Sequence, residues 1–204
     1  MRTINISEIE EARVKILDNA SELIEEAELL FSNGKYARAY SLAHLACEEM
    51  AKIPMIVRAA TETLRGKRFD WSKLNRRLKS HAEKIKGILL IDYILDPEIE
   101  NDIDIKRFKE SLKMIPFYNM LKNYSLYTSL IDDTFHKPSE LISADLSMGL
   151  LKLAHKRFSF YQTVELYTRG KLEKVVKSPF FSEWGKQFIN LFRRKRKGEK
   201  GNNA

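Results

Sequence analysis

The stretch Arg76-Arg77-Leu78-Lys79-Ser80-His81-Ala82-Glu83-Lys84 places an imidazole between cations, Arg77 one turn before His81 and Lys84 one turn after. A histidine exchanges a proton near neutral pH, and a neighbouring arginine or lysine can carry the charge of a phosphate. Together they have the parts of metal-independent RNA cleavage, with His81 as general acid or base and Arg77, Arg76, Lys84 and Lys52 as candidate contacts to phosphate. An imidazole flanked by two cations also calls for a carboxylate. YARAYSLAHLACEEMAKI, Tyr36 to Ile53, supplies two candidates. At about 100° per residue, Ala39, Leu42, Ala43, Ala46, Met50, Ile53 and Val57 form an apolar arc, with Glu49 at its margin between Leu42 and Leu45. Glu48 falls opposite, near Ser41, with Lys52 as an ordinary i,i+4 partner. Glu49 is therefore the expected inward carboxylate and third catalytic candidate, within reach of His81, Lys84 or Lys52.

Other chemistries find little support. No serine or cysteine is arranged with a base as a nucleophile, and no glycine-rich phosphate loop is present. His44, His136 and His155 lack ligand spacing such as His-Glu-x-x-His, so neither a metal nor a cofactor is expected. The single cysteine, Cys47, rules out an internal disulfide and lies on the apolar arc as a core residue.

The elements that must position these residues read as helices throughout. Gly (8) and Pro (5) are scarce in 204 residues, too few for the turns of an all-β chain. Ile9, Ile16, Ala20, Leu23, Ala27 and Leu30 define a first helix over about 7–32, capped by Ser7 and closed at Asn33-Gly34. A second spans about 35–65 with a kink at Pro54, and Asp70 caps a third that carries Leu74, Leu78, His81, Ile85 and Leu89 on one face. A fourth is kinked near Pro116, DDTFHKP is a connector, and a fifth runs from Pro138 to Gly170. Ser178-Pro179 opens a short aromatic helix. The expected fold is an all-α antiparallel bundle over 1–172, an additional C-terminal helix over 173–192 and a basic tail over 193–204.

The net charge of +8 is uneven: residues 1–34 hold eight acids and three bases, whereas Arg193 to Lys200 hold six bases and one acid. Such a tail suits a solvated end or an electrostatic hook for nucleic acid or anionic lipid. No apolar run approaches the roughly 20 residues that cross a bilayer, and the acidic N-terminal stretch is unlike a secretion signal. A cytoplasmic protein without a membrane partner is expected.

GKYARAYSLAHLACEEMAKI, followed by Ser80-His81-x-x-Lys84, resembles the AbiV family of abortive-infection proteins. LKNYSLYTSL and KPSELI, Leu121 to Leu130 and Lys137 to Ile142, resemble that family's Lys-x-x-x-Leu-Tyr segment and downstream proline. The similarity covers roughly residues 10–165. It implies a HEPN-type helical bundle, a homodimer, and a phage-defence role in which the infected cell's protein synthesis is shut down, with a phage protein as a candidate trigger. HEPN ribonucleases carry an Arg, four to six residues, then a His, a count that Arg76 and His81 satisfy. On one continuous helix, however, Arg76 points about 140° away from His81, while Arg77 lies on its side but one residue too close. Two further readings stand beside RNA cleavage. One is a non-catalytic module that sequesters RNA or a translation or phage protein; the other is attachment to a membrane surface through Phe181, Trp184, Phe188 and Phe192.

Overall fold

The computed structural model describes residues 5–67, 69–94 and 102–179. The chain runs α1 (Ile6–Ser32), α2 (Tyr36–Met50), α3 (Lys52–Leu64), α4 (Trp71–Lys79), α5 (His81–Ile94), α6 (Asp102–Leu112) and α7 (Ile115–Leu126). A two-stranded hairpin, β1 (Ser129–Ile131) and β2 (Thr134–His136), leads to α8 (Pro138–Leu141), α9 (Ala144–Thr168) and α10 (Leu172–Lys177). The fold is the helical bundle that the periodicity calls for.

Its centre is α2. A short turn folds α2 back on α1, with Gly34 at φ 70° supplying the left-handed residue that closes α1. The long helix α9 packs against both, and α5, α7 and α8 cover the other side of α2. Small residues make this contact close: Ala43 and Ala46 of α2 meet Ala20 and Ala27 of α1 and Ala154 of α9 in one core with Met50, Ile53 and Tyr161. Arg13 of α1, buried, donates to Glu165 and to Thr168 on α9 and so fastens the two long helices together.

Several expected long helices are broken, each for a local reason. Asn5, not Ser7, caps α1: its side chain accepts from the Glu8 N–H at 2.7 Å, and Glu8 returns the bond to the Asn5 N–H at 3.1 Å. The second helix is interrupted at Ala51, so Pro54 falls in the first turn of α3, where a missing N–H costs nothing. The third breaks at Ser80, whose extended backbone (φ −84°, ψ 116°) ends α4 and whose Oγ accepts from the Glu83 N–H at 3.3 Å to start α5. Likewise the fourth divides at Met114, leaving Pro116 in the first turn of α7. The expected connector DDTFHKP contributes to the hairpin, closed by Asp132 and Asp133 at φ 47° and 59°, left-handed values that aspartate tolerates.

The boundary expected at residue 172 coincides with α10, whose Leu172 and Val176 join the main core. The aromatic stretch 180–192 and the basic tail 193–204 lie outside the described residues. Among the described residues no helix is long and apolar enough to cross a membrane.

Candidate functional site

Glu48 occupies the middle of the bundle. It is 1% exposed, on the side of α2 that faces α5 and α7, and it accepts from three different side chains. His81 Nδ1 lies 2.6 Å from Oε2 and 2.8 Å from Oε1, Lys84 Nζ is 2.6 Å from Oε2, and His44 Nε2 is 3.2 Å from Oε1. Burial alone would raise the Glu48 carboxyl. The bonds from His44 and Lys84, the Lys84 charge and the His81 bond outweigh it and hold the carboxyl down to about 2. An ionised carboxylate only accepts, so both ring nitrogens that face it are N–H donors. His81 in its neutral form is thereby fixed as the Nδ1–H tautomer, with Nε2 left as a proton acceptor.

The local chain explains the arrangement. Ser80 begins α5, so His81 and Lys84 stand three residues apart in its first turn and reach the same carboxylate. The His81 side chain is 47% exposed while Lys84 is 10% exposed, so the cluster is sealed at one end and open at the other. The approach to the open end is basic: α4 carries Lys73, Arg76, Arg77 and Lys79 and stops just before Ser80. Lys122 of α7 is also buried, and the charges of Glu48 and Lys84 both act on it. One turn along, Ser41 of α2 and Ser125 of α7 share a buried hydroxyl bond of 2.7 Å that ties these two helices.

The carboxylate expected to face inward, Glu49, is the outer one of the pair, and Glu48 is the buried one. Glu49 lies at the margin of α2, its side chain 17% exposed, and takes a 2.6 Å ion pair from Lys52 of α3, away from His81. The helical phase was sound, but the assumption that the side opposite the apolar arc meets water was not. Because α2 is packed on nearly every side, its Ser41–His44–Glu48 stripe is a second buried face. His81 also departs from expectation: the break at Ser80 lifts it out of the apolar stripe of Leu74 and Leu78 into a half-open position. Arg77 pairs with Glu83 at 2.9 Å, and Arg76 is exposed on α4. Of the six residues anticipated, the structure unites His81 and Lys84. It adds His44, Glu48 and Lys122.

A family model for AbiV, of the HEPN type, matches residues 8–159. The chain belongs to the AbiV family. That span contains every residue of the cluster, and the family gives the protein an abortive-infection, phage-defence role. No curated protein and no solved structure matches the chain.

Beside the cluster, Tyr40, His44, Cys47, Ile88, Tyr118 and Arg157 help to line an apolar cavity of about 350 Å³ between α2, α5, α7 and α9. Burial raises the Cys47 thiol despite the Arg157 N–H···Sγ contact at 3.2 Å, and burial pushes Tyr40 up to about 12. Both groups are therefore un-ionised at neutral pH, which makes Cys47 a core residue and not a thiolate nucleophile.

The lowered Glu48 pKa sets a pH dependence. A carboxyl at about 2 when folded, against an ordinary 4.5, contributes stability that is fully present above about 4.5 and is lost as pH falls toward 2. The contribution is on the order of 3 kcal/mol. Urea unfolding of wild type and Glu48→Gln should therefore differ by about that amount at pH 7, and the two curves should converge between pH 5 and about 2. A larger loss from Glu49→Gln than from Glu48→Gln would contradict the assignment.

Proposed function

We propose that the protein defends against phage by cleaving RNA of the infected cell, with His81 as the general base and arrest of translation as the outcome. The observation that carries this reading is a half-exposed imidazole locked in one tautomer by a buried carboxylate at the end of a basic helix. Nε2 of His81 would take the proton of a ribose 2′-hydroxyl. The freed oxygen attacks the adjacent phosphorus, the bond to the 5′-oxygen breaks, and the imidazolium returns a proton to that leaving oxygen. Products are a 2′,3′-cyclic phosphate and a 5′-hydroxyl, so protons and bonds balance without a metal. Glu48 plays the part that a buried carboxylate plays beside a catalytic histidine, holding the ring and stabilising its charged form. Lys84 neutralises Glu48, while Arg76, Lys73 and Lys79 offer contacts to the RNA backbone.

Purified wild type should fragment total RNA and leave cyclic-phosphate ends, with His81→Ala slower by at least about 100-fold and folded as wild type. The same variant should lose the ability to stop translation in a cell-free system. Equal translation arrest by wild type and His81→Ala, with RNA intact, would instead favour a module that sequesters a translation or phage component.

A homodimer belongs to the same reading. Besides the family's implication, Phe117, Leu146 and Leu153 expose apolar surface at the rim of the cavity, in keeping with a partner covering them. Light scattering at tens of micromolar should return twice the 23.8 kDa chain mass, and a monomer mass would remove the dimer from the account.

A further inference from the structure

Lys122 is the charged group that the cluster leaves over. It is 6% exposed, yet it has neither an ion pair nor a side-chain hydrogen bond among the described residues. Its ammonium is not sealed in: among the described residues Ser147 Oγ is the one side-chain polar atom both closed to solvent and unpartnered. Lys122 therefore has a buried stem and a tip that solvent can reach.

The charges around it do not balance. α2 contributes one carboxylate, Glu48, with the imidazole of His44; α5 contributes Lys84 and His81; α7 contributes Lys122. Of the other acids, Glu49 is committed to Lys52, Glu83 to Arg77 and Asp92 to Arg157, and Asp145, exposed where it lines the neighbouring cavity, makes no ion pair with Lys122. Even with both imidazoles neutral, two ammonium groups share one carboxylate, and the Glu48 oxygens are already taken up by His44, His81 and Lys84. Burial pushes the Lys122 ammonium down, Glu48 opposes that shift and Lys84 adds to it. A largely buried lysine with no carboxylate partner is a cost to the fold even where its tip meets solvent, and an apolar side chain of similar length would avoid it. What the position lacks is one monoanion.

We infer that Lys122 is a phosphate-binding residue of this site, holding a non-bridging oxygen of one RNA phosphodiester beside the open edge of His81. The inference rests on the proposed action on RNA and names a contact within it. A phosphodiester carries the single negative charge that the cluster wants, and its oxygens accept from an ammonium group. Lys84 is turned to Glu48, which leaves Lys122 as the ammonium free for the substrate.

The test uses the full chain with His81→Ala as the binding form, so that a fluorescein-labelled single-stranded RNA oligonucleotide stays intact. Adding Lys122→Met should weaken binding about tenfold and flatten the log–log salt dependence by about 0.7, while Lys122→Arg keeps most of both. The melting temperature of Lys122→Met should stay level or rise, which a purely structural lysine would not allow. RNA bound with unchanged affinity and salt slope in Lys122→Met would overturn the inference and spare the RNA reading. If inorganic phosphate binds through Lys122 but RNA affinity ignores it, the site is one for a free anion and the inference fails. Wild type that neither binds nor cleaves RNA would overturn both together.

Discussion

One ionised carboxylate, sealed in the bundle, governs the rest of the site. An isolated charge at the position of Glu48 would cost several kcal/mol, so the fold must bring donors to it. It recruits them from three positions, His44 on its own helix and His81 and Lys84 on α5. Because Lys84 and His81 sit in the first turn of α5, satisfying Glu48 sets where that helix begins and how it is rotated. The exposed half of His81 follows from this constraint. A ring held by one nitrogen in the interior presents its other nitrogen to the outside, next to the cations of α4.

The same constraint joins stability to function. Removing Glu48 frees the imidazole and strands Lys84, so its loss harms folding and site geometry at once. Removing His81 leaves Lys84 and His44 to serve the carboxylate and is the cleaner probe of chemistry. Cys47, Asp92 and Arg157 form a second polar connection between α2, α5 and α9. Its Cys47 is buried and its Arg157 side chain nearly so, and the guanidinium is paired to the partly exposed Asp92 on α5. That network braces the helices and leaves the open edge at His81 as the site of exchange with solvent.

The helical class, the antiparallel turn at Gly34 and the closing of α9 at Gly170 were legible in the sequence, because periodicity and left-handed glycines are local signals. The hairpin was not. Its strands are three residues each, and its turn uses two aspartates where glycine or asparagine would have announced it. The helix break at Ser80 was equally hidden, although a serine three residues before Glu83 is a capping pattern. At the site, His81 and Lys84 could be read from spacing, whereas Glu48 could not be chosen over Glu49. That choice depends on which elements cover α2, a tertiary fact. The alanines on both sides of α2, Ala37, Ala39, Ala43 and Ala46, were the signal of a helix buried all round. Lys122 stood out only as the lysine of the Lys-x-x-x-Leu-Tyr segment, and its meaning lies in an imbalance of charge among three helices.

The most direct measurement of the central claim is the tautomer of His81 by long-range ¹H–¹⁵N correlation on protein labelled at histidine nitrogen, with the resonances assigned by their loss in His81→Ala. The account predicts, for the neutral ring, a protonated Nδ1 and an unprotonated Nε2, and a shift toward the averaged pattern of a free imidazole in Glu48→Gln but not in Glu49→Gln. A neutral His81 protonated at Nε2, or one whose pattern is unaffected by Glu48→Gln, would contradict it.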